Sequence, residues 1–153
     1  MKESLDQAKE ELKRADHLIY VSLKYTRTVD VIKAIVERLI NCLDHTIDML
    51  LKHALEQKKI SQIPTLPRLK AELCKKIYVD DQNVQNYIDF YHLLRKIDKA
   101  RFERAQEYRR HVTMTAYLDD NAIEITIDII HDYYQRTKEF VQYAEKFLEE
   151  EHE

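Results

Sequence analysis

Basic side chains are concentrated in one segment of this 153-residue chain, between positions 95 and 111. The segment contains three carboxylates (Asp98, Glu103 and Glu107) and the following cations: Arg95, Lys96, Lys99, Arg101, Arg104, Arg109 and Arg110. The whole chain has a net charge of −3, so any attraction to phosphate groups must be local. We therefore expect nucleic acid to contact this segment, through Arg101, Arg109 and Arg110.

Arg104 and His111 are the two residues of this segment whose types and spacing could do chemistry. If the segment is helical, a separation of seven residues is almost two turns, which places both side chains on nearly one face, about 10 Å apart. His111 would then transfer a proton at the 2′-hydroxyl or the leaving oxygen, and Arg104 would stabilise the charged phosphorane. Glu107 would orient the imidazole and raise its pKa, and Tyr108 or Tyr117 would stack on a base. The hypothesis is metal-independent RNA cleavage.

A structural interpretation accounts for the same residues. Cations near the end of a helix complement the helix dipole, and Glu107 would form ion pairs with its neighbours. Spacing alone favours this interpretation, because an Arg and a His seven residues apart arise easily by chance.

Two Asp-x-x-His pairs suggest a different chemistry, a ferritin-like metal site. The pairs are Asp89/His92 and Asp128/His131, which Glu37, Asp44 or Asp48 from another helix would complete. Ferritin-like sites use Glu-x-x-His, whose longer carboxylate reaches a shared metal, so the shorter Asp argues against this alternative. The predicted site therefore contains no metal and no cofactor.

The segment from Tyr25 to Asp30 joins two predicted helices and is polar. Arg27 and Asp30 stand at a helix entrance, where a phosphate could bind. A self-contained turn between helices is the commoner reason for such residues, and it is the interpretation we prefer.

Composition narrows the fold and the class of function. The chain has no glycine, which excludes glycine-dependent phosphate loops and disfavours tight hairpins. The two cysteines, Cys42 and Cys74, lack metal-ligand spacing and are expected to be buried thiols in a reducing compartment. Neither a secretory signal nor an apolar run of membrane-spanning length is present, so a cytoplasmic protein is expected.

The predicted architecture is an all-α, up-and-down four-helix bundle with one extra short helix, in a single domain over residues 1–153. Its organising element is a long helix from Val29 to Lys59, whose wide apolar stripe needs partners along its length. Thr28 is its expected N-cap. The first helix is expected from about Leu5 to Tyr25, with Ser4 and Gln7 as a capping box.

The second half of the chain is expected to be helical as well. Both prolines lie in a loop before a short helix from Pro67 to about Tyr78, and the next long helix opens at Asp80-Asp81 and continues to about His111. The segment from Val112 to Leu118 is ambiguous. The last helix is expected to run from Asn121 into an acidic tail that frays over Glu149 to Glu153, although its start alternates like a strand.

Three segments together resemble the HEPN superfamily. They are Leu12-Lys-Arg-Ala-Asp-His17 followed by the helix from Ile35 to Leu55, the stretch Arg101-Phe-Glu-Arg-Ala-Gln-Glu-Tyr-Arg-Arg110, and the pattern Phe140-Val141-x2-Ala144-x3-Leu148. The likeness is a diffuse pattern over most of the chain. It implies a HEPN-like helical bundle, a homodimer, and a nucleotidyltransferase-type antitoxin as partner.

The same resemblance implies a function. Active HEPN proteins carry an Arg and a His four to six residues apart in a dimer cleft, a motif that Arg104-x6-His111 matches at its longest spacing. Those members usually have a polar residue directly after the Arg, where this chain has Ala105, and many members keep the fold without the nuclease. The expected function is therefore an RNA- or nucleotide-directed protein, as an endoribonuclease toxin with Arg104 and His111 as catalytic residues. The alternative is a non-catalytic bundle that binds protein partners.

Overall fold

A computed structural model describes residues 1–151 and shows a mostly helical protein with a small antiparallel sheet. The helices are α1 (Lys2–His17), a π-helical turn (Leu18–Ser22), α2 (Leu23–Tyr25), α3 (Val29–Glu56), α4 (Pro67–Ile77), α5 (Gln82–Lys99) and α6 (Ile127–Glu151). The strands are β1 (Arg101–Ala105), β2 (Thr113–Tyr117) and β3 (Ala122–Ile125). The expectation of a strictly all-α fold is therefore wrong.

The long helix α3 lies at the centre of the fold, as its apolar stripe predicts. It packs against α1, α4, α5 and α6, and its stripe is almost wholly inaccessible to solvent, including Ile35, Leu39, Leu43 and Leu50. The predicted N-cap is confirmed, because the hydroxyl of Thr28 accepts a hydrogen bond from the Val31 amide at 3.4 Å.

The first helix begins earlier than its capping signal predicts. It starts at Lys2, so Ser4 lies within the first turn, where its hydroxyl accepts a hydrogen bond from Lys52 Nζ at 2.8 Å. The predicted capping box is therefore wrong, because Ser4 lies inside the helix and its hydroxyl is bonded to Lys52 of α3 and not to a backbone amide of α1. From Lys2 the helical path continues to Tyr25 through the π-helical turn.

The start signals of α4 and α5 are confirmed. Pro67 is the first residue of α4, and Asp81 caps α5 by accepting a hydrogen bond from the Val84 amide at 3.1 Å. The end of α5 differs from the prediction, since the helix stops at Lys99 and Ala100 adopts an extended conformation. The predicted continuation to His111 is wrong because residues 101–105 instead form a strand paired with residues 113–117.

The sheet has the strand order β1-β2-β3, and both pairs are antiparallel. Residues 106–112, here called the hairpin loop, join β1 to β2. Gln106 and Tyr108 adopt left-handed conformations, with φ of 56° and 64°, although neither is glycine. The absence of glycine thus did not prevent a hairpin. The strand-like start of the last predicted helix is strand β3, which pairs with β2.

The last helix begins later than expected. The hydroxyl of Thr126 accepts a hydrogen bond from the Ile129 amide at 3.3 Å, so Thr126 caps α6 and the predicted start at Asn121 is wrong. The helix continues to Glu151, and the remainder of the predicted frayed end lies outside the described residues.

The two cysteines are buried, as expected, and burial raises the pKa of each thiol to about 12. Among the described residues, no helix combines the length and the apolar character needed to cross a bilayer.

Candidate nucleic-acid interface

The predicted catalytic residues lie on the β1–β2 hairpin and not on one face of a helix. Arg104 is in β1, opposite Met114, whereas Glu107, Tyr108 and His111 belong to the hairpin loop. The helical geometry that placed Arg104 and His111 two turns apart is therefore wrong. The structural alternative, a solvated helix end, is wrong for the same reason.

Glu107 contacts α3 instead of orienting His111. Its Oε2 accepts a hydrogen bond from the Val29 amide, the first of α3, at 3.1 Å, and lies 3.7 Å from the Arg104 guanidinium. Arg104 also donates to Asp30 at 2.8 Å. A carboxylate at a helix N-terminus is favourable because it satisfies a free amide and complements the dipole. Arg104 and Glu107 thus attach the hairpin to the start of α3.

The helix entrance considered as a phosphate position is therefore filled by the protein itself. Besides the Glu107 contact, the Tyr108 amide donates to the Arg27 carbonyl at 2.6 Å. The tyrosine ring points outward and is 77% exposed. The interpretation of residues 25–30 as a self-contained turn is also wrong, since its backbone is held by a loop about 80 positions further along the chain.

The three predicted nucleic-acid contacts are exposed, but they do not share one environment. Arg109 and Arg110 lie in the hairpin loop beside His111. Arg101 begins β1, where its guanidinium lies 5.3 Å from the centre of the Tyr117 ring. The Tyr117 hydroxyl donates to Glu103 at 2.9 Å, and this hydrogen bond raises the pKa of the tyrosine.

A second concentration of positive charge lies along α5. There, a groove of about 540 Å³ is lined by Arg95, Lys96, Lys99 and His92 from α5, by Arg68 from α4, and by Leu118 after β2. We call it the basic groove. Among the described residues of its lining, the carboxylate is Asp89, which forms an ion pair with Lys75 at 2.5 Å.

The cations of the basic groove differ in their partners. Arg68 pairs with Glu72 at 3.0 Å. Lys96 and Lys99 are exposed, and neither forms an ion pair with another residue of the described chain. The charge of an unpaired ammonium group is not neutralised by a neighbouring carboxylate, so it can attract an anionic ligand. The two lysines are therefore the best placed residues to contact an anion.

Arg95 is held from behind the groove by a partly buried chain of hydrogen bonds. Its Nη1 donates to the Tyr91 hydroxyl at 3.2 Å, and that hydroxyl donates to Asp44 on α3. Burial raises the pKa of Asp44 and, together with the Asp44 contact, that of Tyr91. Burial also lowers the pKa of His92, an effect that Lys75 reinforces. His92 is therefore biased towards the neutral form among these cations.

The basic groove continues into a smaller depression of about 240 Å³. The two share Lys96, Lys99 and Leu118, and the smaller one adds Ala100, Tyr117 and an exposed carboxylate, Asp119. Cations that follow a phosphate backbone beside an aromatic ring are the features by which proteins bind single-stranded nucleic acid.

The two Asp-x-x-His pairs do not converge. Asp89 pairs with Lys75, Asp48 with Lys70 and Asp44 with Tyr91, while His131 packs edge-on against Tyr20. Within residues 1–151, no three His, Cys, Asp or Glu side chains are placed to hold a metal ion. The ferritin-like alternative thus has no cluster to support it.

Part of the basic groove had a signal in the sequence. His92, Arg95, Lys96 and Lys99 are spaced by three and four residues, which places them along one side of a helix. These cations belong to the basic segment noted in the sequence, but the predicted site lies at residues 101–111. Arg68 and Leu118 come from other elements, so no spacing on α5 could have included them.

Comparisons with family models, with curated proteins and with solved structures returned no match to this chain.

Proposed function

We propose that this protein binds single-stranded RNA through the basic groove. The observation that carries the proposal is the pair of exposed, unpaired lysines, Lys96 and Lys99, which lie where the groove meets Tyr117. The lysines would contact phosphates and the tyrosine would stack on a base. The choice of RNA rests on the HEPN resemblance.

The contacts of Arg104 favour binding without cleavage at Arg104 and His111. A transition-state stabiliser must reach the phosphate, and the Arg104 guanidinium instead faces Asp30 and Glu107. Glu107, expected to orient His111, caps α3. The endoribonuclease toxin is therefore the alternative that the experiment below must separate from simple binding.

The proposal includes an architecture and an assembly. We propose that α1, α3, α5 and α6 form an up-and-down bundle of the HEPN-like kind, because α1, α5 and α6 all pack on α3 and α6 also packs on α1 and α5. From the resemblance, we propose a homodimer and a nucleotidyltransferase-type partner. Light scattering and co-purification with such a partner test these two points.

The decisive experiment follows binding and cleavage together. A fluorescently labelled single-stranded RNA is titrated with the native protein in EDTA, and anisotropy is read before the RNA is run on a denaturing gel. The His111→Ala variant is treated in parallel, and single-stranded DNA of the same sequence serves as the comparison ligand.

Saturable, salt-sensitive binding of intact RNA by both proteins is the expected result. RNA fragments that appear with the native chain and vanish with His111→Ala would replace the proposal by a metal-independent ribonuclease. If the anisotropy does not change at low salt, the groove does not bind RNA. The non-catalytic bundle for protein partners would then be the better hypothesis.

A further inference from the structure

The outer edge of β1 has no strand beside it. The order β1-β2-β3 gives β1 a neighbour on one side only. Four of its five residues are exposed, and the fifth, Phe102, is partly buried against the core. Within residues 1–151, the backbone–backbone hydrogen bonds of Arg101–Ala105 are those of the β1–β2 pair. The amide and carbonyl groups on the outer side of β1 are therefore free to bond with a further strand.

The charged side chains of this edge have both signs. Arg101 and Glu103 are two residues apart, so they project from the same face of the sheet. Both contact Tyr117 of β2, and neither has an ion-pair partner among the described residues. An edge that carries like charges repels a second strand, whereas an edge with both signs can attract one. A strand with the opposite order of charges would suit this edge.

The β1 strand of a second copy has that order of charges. Around a twofold axis at Phe102, the two β1 strands run antiparallel, and Arg101 of each copy lies directly opposite Glu103 of the other. Opposite residues place their Cβ atoms about 4.5–5.5 Å apart, close enough for an ion pair, and the symmetry provides two such pairs. The two Phe102 side chains lie opposite each other on the other face. An axis at Glu103 would instead place two carboxylates opposite each other, which is unfavourable.

We propose that β1 pairs antiparallel with β1 of a second copy, in the register centred on Phe102, so that two three-stranded sheets become one sheet across a homodimer. The β3 edge is less suited, because Glu124 is the one charged residue of Ala122–Ile125 and self-pairing would align no opposite charges. The proposal rests on the homodimer proposed above, to which it assigns a surface, and it is independent of RNA binding. Because short strands bury a small area, the dimer should be weak.

Analytical ultracentrifugation of the native protein at low salt, from about 1 to 200 µM, tests for this dimer. We expect reversible dimerisation with a dissociation constant on the order of 10 µM. Glu103→Arg and Arg101→Glu each place like charges opposite each other, so each should weaken self-association by at least about tenfold. An equimolar mixture of the two variants should associate as tightly as the native protein, because opposite charges then face each other again. Glu124→Arg makes the same charge change at an exposed position of β3 and should leave the dimer unchanged.

Disulfide cross-linking tests the register. Phe102→Cys places the two new thiols opposite each other, so oxidised glutathione should convert the protein to a covalent dimer on a non-reducing gel. Ala105→Cys is the control, because its two copies would lie roughly 20 Å apart along the paired strands, too far for a disulfide. The native thiols of Cys42 and Cys74 are buried. If Phe102→Cys does not fold, the charge reversals at exposed positions still test the surface.

A native protein that stays monomeric at about 200 µM would overturn both the homodimer and this surface. A native dimer that both charge-reversed variants retain, or a mixture that stays dissociated, would overturn the surface alone. Equal cross-linking of the two cysteine variants would do the same, as would a loss of association in Glu124→Arg equal to that in Glu103→Arg. RNA binding is judged separately, by the anisotropy titration of the native protein.

Discussion

The basic groove and the hairpin loop both carry several cations, but they use them differently. In the groove, Lys96 and Lys99 have no carboxylate partner among the described residues and face an open depression. At the hairpin, Arg104 lies between Asp30 and Glu107. The contrast teaches that a count of basic residues along a sequence does not show which of them can bind a ligand.

The difference follows from what each region is attached to. The groove lies on α5, which is fixed by its own buried face, so its outward cations need not hold the fold together. The hairpin is a small sheet whose first strand is mostly exposed, and its position depends on contacts with the start of α3. Arg104 and Glu107 therefore hold the hairpin against the start of α3.

The largest expected effect is on RNA affinity, for the double variant Lys96→Glu/Lys99→Glu. Removing two phosphate contacts and adding two negative charges should weaken RNA binding by roughly tenfold to a hundredfold at low salt. The slope of log affinity against log salt should become shallower by about 1.4, because each phosphate contact to a single strand contributes about 0.7. Anisotropy titrations over a range of salt concentrations measure both effects.

The matched control is Lys2→Glu/Lys13→Glu on α1, which makes the same change in net charge at two exposed positions. At physiological salt it should leave the affinity within about threefold of the native value, because screening limits long-range effects there. Equal losses in the two double variants would mean that overall charge, and not the groove, determines binding.

The next effect is on stability, for Glu107→Ala. This change removes the acceptor of the first α3 amide and the ion-pair partner of Arg104, so the free energy of unfolding should fall by about 1–2 kcal/mol. Urea denaturation followed by circular dichroism measures it. Glu124→Ala, an exposed carboxylate on β3, is the control and should change little.

Glu107→Gln refines this test. Glutamine can still accept a hydrogen bond from Val29 but cannot form an ion pair, so it should lose less stability than alanine does. If Glu107→Ala is as stable as the native protein while RNA affinity falls, Glu107 belongs to the binding site and the comparison above is reversed.

The sequence predictions succeeded for the helices and their local caps, and they failed for the hairpin. The α3 helix was predictable because a continuous apolar stripe of that length has one stable arrangement, and Thr28, Pro67 and Asp81 act through contacts only a few residues away. The hairpin was not predictable, because Arg101–Ala105 has a helix-compatible composition and becomes a strand only by pairing with residues 113–117.

The candidate site was predictable in part. The spacing of His92, Arg95, Lys96 and Lys99 predicts that they lie along one side of a helix, and they line the α5 side of the basic groove. The position of Glu107 could not be inferred, since its partners Val29 and Arg104 meet only when the hairpin folds back on α3. The absence of glycine was also a poor guide to hairpins, because Gln106 and Tyr108 adopt left-handed conformations that the surrounding contacts hold in place.

A smaller effect, dependent on pH, is expected for Asp44→Asn behind the groove. Burial raises the folded-state pKa of Asp44, so its ionisation opposes folding. This opposition is absent below the ordinary carboxyl pKa of 3.8, grows as the pH rises through the folded-state pKa, and is complete above it. Asparagine is neutral and can still accept a hydrogen bond from Tyr91. The variant should therefore be more stable than the native protein at neutral pH, by no more than about 1 kcal/mol.

Denaturation at several pH values measures this difference, which should shrink towards zero near about pH 3. The exposed Asp120→Asn serves as control. RNA affinity should stay within about twofold, because Asp44 does not face the groove. A stability difference that grows in acid would contradict the assignment of the shift to burial.

The smallest effect is expected for Arg104→Met, and it is the sharpest test of the contrast between the two regions. The ion pair of Arg104 with Asp30 is solvent-exposed, with the two side chains 41% and 75% accessible, and exposed pairs contribute little to stability. The melting temperature should fall by about 2 °C or less, and RNA affinity should stay within about twofold. Differential scanning calorimetry and anisotropy measure these quantities. A loss of RNA affinity as large as that of the Lys96→Glu/Lys99→Glu variant, with no change in melting temperature, would show that the Arg104 guanidinium leaves its carboxylates for phosphate. In that case the hairpin, and not the basic groove alone, would be the RNA-binding surface.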